Sequence, residues 1–117
     1  MILGEPRARA ISQKIQDANF TIVGTPTLVE TGIVLSRKGR DPHDDLDHFL
    51  AASRTTVVSF THEHTRKSLE AFLKYGKGRH PAALNFGDCM SYAVARIARV
   101  PLLFTGNDFS QTDIPAA

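Results

Sequence analysis

Short β-branched and aromatic runs alternate with longer helical segments along this chain, and this alternation constrains its fold more than any other feature. The runs at 20–23 (FTIV), 55–60 (TTVVSF) and 102–104 (LLF) predict strands. Segments of helical periodicity separate these runs, as the crossovers between parallel strands require. The sequence therefore predicts an α/β domain in which helices cover both faces of a mostly parallel sheet.

Each predicted helix begins with a proline or with a side chain that can cap it. The helices are expected over about 6–19, 25–39, 41–53, 61–74 and 85–97. The segment 75–81, which contains two glycines and a proline, is predicted to be a loop. Apolar residues recur at helical spacing in the second and fourth helices, at Leu28, Val29, Ile33, Val34, Leu35, Leu69, Phe72 and Leu73.

The length and composition exclude several classes of protein. A chain of 117 residues supports one hydrophobic core, so we expect a single domain over 1–117. The single cysteine, Cys89, excludes an internal disulfide and a multi-cysteine zinc site. No apolar run approaches the roughly 20 residues of a membrane span, and no signal-peptide pattern is present, so we expect a cytoplasmic protein without membrane association. The net charge of +2 permits nucleic-acid binding without demonstrating it.

Three acidic positions are candidates for chemistry. Glu30 shares a helical face with apolar residues, where its carboxylate is either buried for a purpose or reaches water at the edge of the stripe. Asp88 lies three residues after Asn85 in the first turn of a predicted helix, where capping is the stronger alternative to a chemical role. Asp108, preceded by Asn107, follows the last predicted strand, where functional groups and simple turn-forming acids both occur.

All three acids are expected to lie at the same edge of the predicted sheet. Clustered carboxylates repel one another unless a cation lies among them, and oxygen ligands suit the hard ions Mg²⁺ and Mn²⁺. Such ions activate water and stabilise the charge that develops during phosphodiester hydrolysis. Glu30, Asp88 and Asp108 therefore predict a nuclease centre that uses Mg²⁺ or Mn²⁺.

The remaining polar candidates are less specific. Lys77 and Arg79 lie in the predicted loop before the last helix, and they either contact phosphates or simply keep an exposed loop solvated. His62 and His64 are two residues apart on a predicted helix and face different directions, which does not favour a zinc site. Cys89 is expected to be a small buried residue rather than a nucleophile.

Three motifs together make the chain similar to a known family. They are 27–35 (TLVETGIVL), 75–89 (YGKGRHPAALNFGDC) and 102–109 (LLFTGNDF). The chain resembles the PIN-domain ribonuclease toxins of the VapC type from Leu3 to about Asp113. The resemblance implies an α/β/α sandwich that cleaves RNA with Mg²⁺ or Mn²⁺, is inhibited by a cognate VapB-like antitoxin, and forms homodimers.

The resemblance also assigns roles to individual residues. Glu30 matches the acid that the family carries on an early helix, and Asp88 matches its metal-binding acid at the start of a later helix. The acid after the last strand corresponds either to Asp108 or to Asn107 as its replacement. Under the nuclease hypothesis, and not from the resemblance, Lys77 and Arg79 are expected to help to seat the RNA backbone.

The N-terminus departs from the family pattern. Family members begin with an apolar strand that carries an Asp, and this chain starts after that strand, at Met1. We therefore expect Met1 to be an internal methionine of a longer protein. The rival hypothesis is a degenerate PIN domain that binds an antitoxin or RNA without cleavage, and the unmatched Asp together with Asn107 favours it.

Overall fold

The computed structural model of the chain describes residues 6–104 and 108–117. Its elements, in order, are α1 (Pro6–Asp17), β1 (Ile22–Gly24), α2 (Thr25–Arg37), α3 (Pro42–Ser53), β2 (Thr56–Val58), α4 (His62–Tyr75), α5 (Phe86–Ala98) and a 3₁₀ turn at Phe109–Gln111. All five predicted helices form. The described part of the chain has no helix with the length and apolar character needed to cross a membrane.

Side-chain caps explain where three of the helices begin. The Asp41 carboxylate accepts hydrogen bonds from two backbone N–H groups in the first turn of α3. Thr61 and Asn85 each close a capping box at the start of α4 and α5. Because these contacts join residues two or three positions apart, they are visible in the sequence, and the predicted starts of these helices are confirmed.

The sheet is parallel but shorter than predicted. β1 and β2 pair in parallel, with Ile22 opposite Thr56 and Gly24 opposite Val58. The prediction of a sheet strand at 102–104 is wrong. Leu102 instead makes an isolated parallel bridge with Ala116, and its N–H donates to the Pro115 carbonyl at 2.8 Å. The backbone of Leu102 is therefore paired with the C-terminal residues and not with a strand of the sheet.

The core lies between α4, α5 and the C-terminal segment. It is formed by apolar residues with little or no exposure, namely Ala71, Tyr75, Ala82, Leu84, Cys89, Tyr92, Ala95, Phe109 and Ile114. Helix α4 packs on α5 within this core, where the ring centroids of Tyr75 and Tyr92 lie 6.0 Å apart. The burial of Cys89 confirms its prediction as a core residue.

The buried faces of α2 and α4 agree only in part with the faces that apolar spacing suggests. On α4 the buried residues are His64, Ala71 and Tyr75, whereas Leu69 and Leu73 are mostly exposed. On α2 the buried residues are Gly32 and Leu35, and the apolar positions around Glu30 are exposed. Leu35 is buried, as its apolar spacing indicates. Small residues, Tyr75 and a hydrogen-bonded histidine fill the other inner positions, whereas Leu69 and Leu73 remain outside.

Candidate functional site

Helix α2 leads away from the carboxyl end of β1 and packs along α5 in the opposite direction. The contact starts at Gly24, where an added Cβ would lie only 2.8 Å from Val94 Cγ2. One turn further along α2, Thr27 Oγ1 and Ser91 Oγ form a hydrogen bond of 3.2 Å. Residue numbers rise along α2 while they fall along α5, so the next turn of α2 reaches the N-terminus of α5.

Glu30 occupies that next turn. A Cβ at Gly87 would lie 3.1 Å from Glu30 Cδ and closer still to Oε2, so the Glu30 carboxyl group lies directly against the start of α5. Glu30 is exposed, and this resolves the two interpretations of its sequence position in favour of the edge of the stripe. Exposure keeps the carboxylate hydrated while leaving it accessible to a ligand.

Asp88, the third residue of α5, lies one position beyond Gly87. Its Oδ2 accepts a hydrogen bond of 3.1 Å from the Asn85 N–H, and its own N–H donates to Asn85 Oδ1 at 2.9 Å. The predicted capping role is therefore confirmed. The capping box fixes the orientation of the side chain through one of its two carboxylate oxygens, so a capping role does not exclude a chemical one.

The carboxyl group of Asp88 interacts electrostatically with a second acid, Asp108. Its partial burial raises the pKa of Asp88, the hydrogen bond from Asn85 acts in the opposite direction, and the negative charge of Asp108 raises the pKa further. Asp108 lies at the start of the 3₁₀ turn, is exposed and makes no side-chain capping bond. Asn107 lies outside the described residues.

Of the three predicted acids, Glu30 thus contacts the start of α5 at Gly87, Asp88 belongs to its first turn, and Asp108 interacts with Asp88 electrostatically. Within 6–104 and 108–117, no three His, Cys, Asp or Glu side chains are close enough together to be a metal-binding group. The donor chemistry still fits Mg²⁺ or Mn²⁺, because Mg²⁺ is usually bound through only one or two carboxylates, with water and substrate phosphates as further ligands.

The loop that carries Lys77 and Arg79 connects α4 to α5 and is joined to the site by its backbone. The Lys77 N–H donates to the Leu84 carbonyl at 3.0 Å, which brings Lys77 close in space to Asn85. Arg79 lies over the Phe72 ring at 5.7 Å from its centroid, on the side of α4. Of the two predicted phosphate contacts, Lys77 is therefore the one whose backbone lies beside the start of α5.

Two other candidates have structural roles. His64 is buried, stacks on Phe60 with 5.2 Å between ring centroids, and accepts a hydrogen bond of 3.0 Å from the Thr61 N–H at its Nδ1. Burial and the adjacent charge of Asp88 both raise the pKa of the Cys89 thiol, which keeps it neutral and poorly nucleophilic.

Gly87 is a site residue that the sequence analysis did not single out. Its lack of a side chain makes room for Glu30. Glycine is an unfavourable residue in a helix. Its presence between Phe86 and Asp88 is the one sequence feature that indicates a close approach at this position.

The family of the chain follows from its fold, from these acids and from comparison with known proteins. Residues 1–115 match the PIN domain, and the chain belongs to the PIN-domain family. It is similar to the ribonuclease VapC36 of Mycobacterium tuberculosis and to the VapC ribonuclease Mb2004c of Mycobacterium bovis. To each it is 43% identical over 116 residues, which are 97% of this chain and 84% of the relative.

The chain is also similar to a VapC ribonuclease from another genus. The ribonuclease VapC of Mycolicibacterium smegmatis is 36% identical over 117 residues, which are 99% of this chain and 91% of that protein. These comparisons confirm the family resemblance that the three sequence motifs indicated.

Proposed function

We propose that this protein is an endoribonuclease that hydrolyses RNA phosphodiester bonds and acts as the toxin of a VapBC-type toxin–antitoxin pair. The arrangement of Glu30, Asp88 and Asp108 around the start of α5 carries the proposal, because it gathers carboxylates at an exposed edge of a PIN domain. The names of the VapC relatives support the same activity.

We further propose that Asp88 and Asp108, with Glu30, hold Mg²⁺ or Mn²⁺. When bound, such an ion lowers the pKa of water and stabilises negative charge on a phosphate. The protein's contribution is to fix the acids. Asn85 orients Asp88 through the capping box, and Gly87 leaves the space that Glu30 occupies. Lys77 would attract the RNA backbone to the same edge.

The partners of the proposed toxin are a VapB-like antitoxin and a second copy of the chain, and its place of action is the cytoplasm, where RNA substrates are found. The exposed apolar residues of α2 and α4 support the proposal of protein partners, since Val29 and Leu73 are 63% and 62% exposed. Exposed apolar surface on a helix is typical of sites that bind another protein.

One observation favours a second candidate, a PIN domain that binds RNA or an antitoxin without cleaving RNA. In the described ranges the acids do not form a three-residue metal group. The two candidates differ in their response to metal. A nuclease loses cleavage in EDTA and regains it with Mn²⁺, whereas a binding protein retains its ligand in both conditions.

The decisive experiment compares the wild-type chain with Asp88→Asn on a labelled single-stranded RNA. Asparagine keeps an oxygen for the Asn85 N–H, so we expect a change in stability of no more than about 1 kcal/mol. We expect cleavage to be lost in this variant and to persist in Asp47→Asn, which removes the same charge from an exposed position on α3. Full cleavage by Asp88→Asn would exclude the assigned site.

A further inference from the structure

Phe86, the first residue of α5, is among the large hydrophobic residues that the described structure leaves exposed. It is 81% exposed, more than any other exposed hydrophobic residue there. Phe86 immediately precedes Gly87, against which the Glu30 carboxyl group lies, and it shares the first turn of α5 with Asp88. A phenylalanine ring held in water contributes little to packing, and the capping box that starts α5 is made by Asn85 and Asp88 without it.

The surroundings of Phe86 are polar and charged. The Glu30 carboxyl group lies against the adjacent Gly87, and Asp88 is the next residue of α5. Lys77, which is exposed, is joined to this region by the hydrogen bond between its N–H and the Leu84 carbonyl, two residues before Phe86. An exposed cation and an exposed aromatic ring on neighbouring segments are a combination with which proteins bind single-stranded nucleic acid, since the cation contacts the backbone and the ring stacks on a base.

We propose that Phe86 is a positioning residue that stacks on an unpaired base of single-stranded RNA and so holds the adjoining phosphate at the acids. This inference rests on the proposed ribonuclease function. A base is favoured over an apolar protein segment because a nucleotide covers the ring while presenting its phosphate to Lys77. An apolar segment at the same place would desolvate Asp88 without providing it a partner.

The absence of tryptophan from the chain provides a direct test. In an Asp88→Asn background, which keeps RNA intact, Phe86→Trp introduces a single fluorescent reporter at the proposed stacking position. We expect saturable quenching of its emission by a short single-stranded RNA of mixed sequence, and no quenching by the same RNA made entirely of abasic nucleotides.

The matched control is Phe20→Trp in the same background. Phe20 is an exposed phenylalanine, 66% accessible, but it lies before β1, at the opposite edge of the sheet from the acids. We expect RNA to leave its emission unchanged. Quenching of both reporters to the same extent would indicate nonspecific contact and overturn the assignment of Phe86.

Kinetics separate stacking from a merely structural role. With Asp88 restored, Phe86→Ala should raise the KM for single-stranded RNA on the order of 10-fold, with a smaller change in kcat and an unchanged melting temperature, and Phe86→Tyr should restore the KM. If Phe86→Ala has the wild-type KM, or loses affinity for a protein partner but not for RNA, the stacking role is overturned. The ribonuclease proposal would still stand in both cases. Absence of metal-dependent cleavage by the wild-type chain would instead overturn both.

Discussion

Gly87 belongs to the first turn of α5 and leaves the space that the Glu30 carboxyl group occupies. Its hydrogen atom lies where a methyl group would meet the Glu30 carboxyl group, 3.1 Å from Cδ. Gly87→Ala must therefore displace Glu30, although alanine is the better helix former by about 1 kcal/mol. We expect cleavage to fall on the order of 10²-fold, because small displacements of a catalytic group have effects of this size. RNA cleavage and thermal unfolding should be measured on the same preparation.

Gly32→Ala is the matched control for this prediction. Gly32 lies on the same helix as Glu30, and an added Cβ there would make ordinary contacts of 3.5 Å with Pro42 and Leu46. We expect this variant to be more stable by roughly 0.5–1 kcal/mol, with cleavage unchanged. Equal loss of activity in both variants would show that the effect of Gly87→Ala is not specific to Glu30.

The coupling between Asp88 and Asp108 makes a prediction about titration. Burial and then the Asp108 charge raise the pKa of Asp88 above its ordinary value of 3.8, against the effect of the Asn85 hydrogen bond. A raised folded-state pKa means that the folded state binds the proton more tightly, so stability is lost as the pH rises from the unfolded pKa through the folded one. Asp108→Asn should lower the pKa of Asp88 and reduce this loss.

Carbon-detected NMR of the metal-free protein, which follows the Asp88 carboxyl signal against pH, measures this shift directly. Urea unfolding at several acidic pH values measures the accompanying change in stability. An Asp88 titration that is identical in the two proteins would mean that the two carboxylates do not interact.

At the scale of elements, one hydrogen bond joins α5 to the C-terminal segment. The Tyr92 hydroxyl donates to Asp113 Oδ1 at 2.5 Å. Although the burial of Asp113 acts the other way, the bonds from tyrosine hydroxyls and the charge of Arg96 lower the pKa of Asp113. A lowered folded-state pKa stabilises the protein above the unfolded pKa, and this contribution is lost as the pH falls through the folded value.

Tyr92→Phe should therefore reduce the free energy of unfolding by about 1–2 kcal/mol at neutral pH and by less under acidic conditions. Urea unfolding of both proteins across this range tests the prediction. The double variant with Asp113→Asn provides the control, because the effect of Tyr92→Phe should shrink once the carboxylate is absent. A difference that does not vary with pH would show that the charge of Asp113 is not involved.

The helices were more predictable than the strands, and the reason is the range of the interactions that form them. Caps such as Asp41 and Asn85 act within three residues, so the sequence displays them. The pairing of β1 with β2 joins residues more than 30 positions apart, as between Ile22 and Thr56, and the bridge of Leu102 depends on Ala116. An apolar run indicates that a segment can be extended, but it does not identify the strand or tail that pairs with it.

At the scale of the whole molecule, the chain carries only a small net positive charge, so its affinity for RNA depends on where the cations lie. Lys77→Ala should weaken RNA binding and reduce the slope of log affinity against log salt concentration by about 0.7, the value for one phosphate contact on a single strand. Fluorescence anisotropy in EDTA, which prevents cleavage, measures this slope.

Lys14→Ala is the control for the salt dependence. Lys14 lies in the last turn of α1, and its Nζ donates to the Ala117 carbonyl at 2.8 Å, away from the edge that carries the acids. We expect its substitution to leave the slope unchanged. Equal slopes for Lys77→Ala and the wild-type protein would exclude Lys77 from the RNA path.

The sequence names candidate site residues, but it does not show their surroundings. Glu30 stands out as an acid among apolar residues, Asp88 as an acid at a helix start, and Asp108 as an acid after a predicted strand. That Glu30 is exposed, and that it rests against Gly87, depends on the packing of α2 along α5. Such packing joins residues more than 50 positions apart, and no local pattern encodes it.

Because α2 and α5 run antiparallel and meet turn by turn, residues cannot be inserted or deleted freely within them. Gly24, Thr27 and Glu30 meet Val94, Ser91 and Gly87 in turn, one helical turn at a time. A single inserted residue between Thr27 and Glu30 would rotate the carboxyl group by about 100° and advance it by about 1.5 Å, which removes it from the start of α5. Insertions and deletions should therefore be tolerated in the loops around this pair of helices, while the first half of α2 keeps a fixed number of residues.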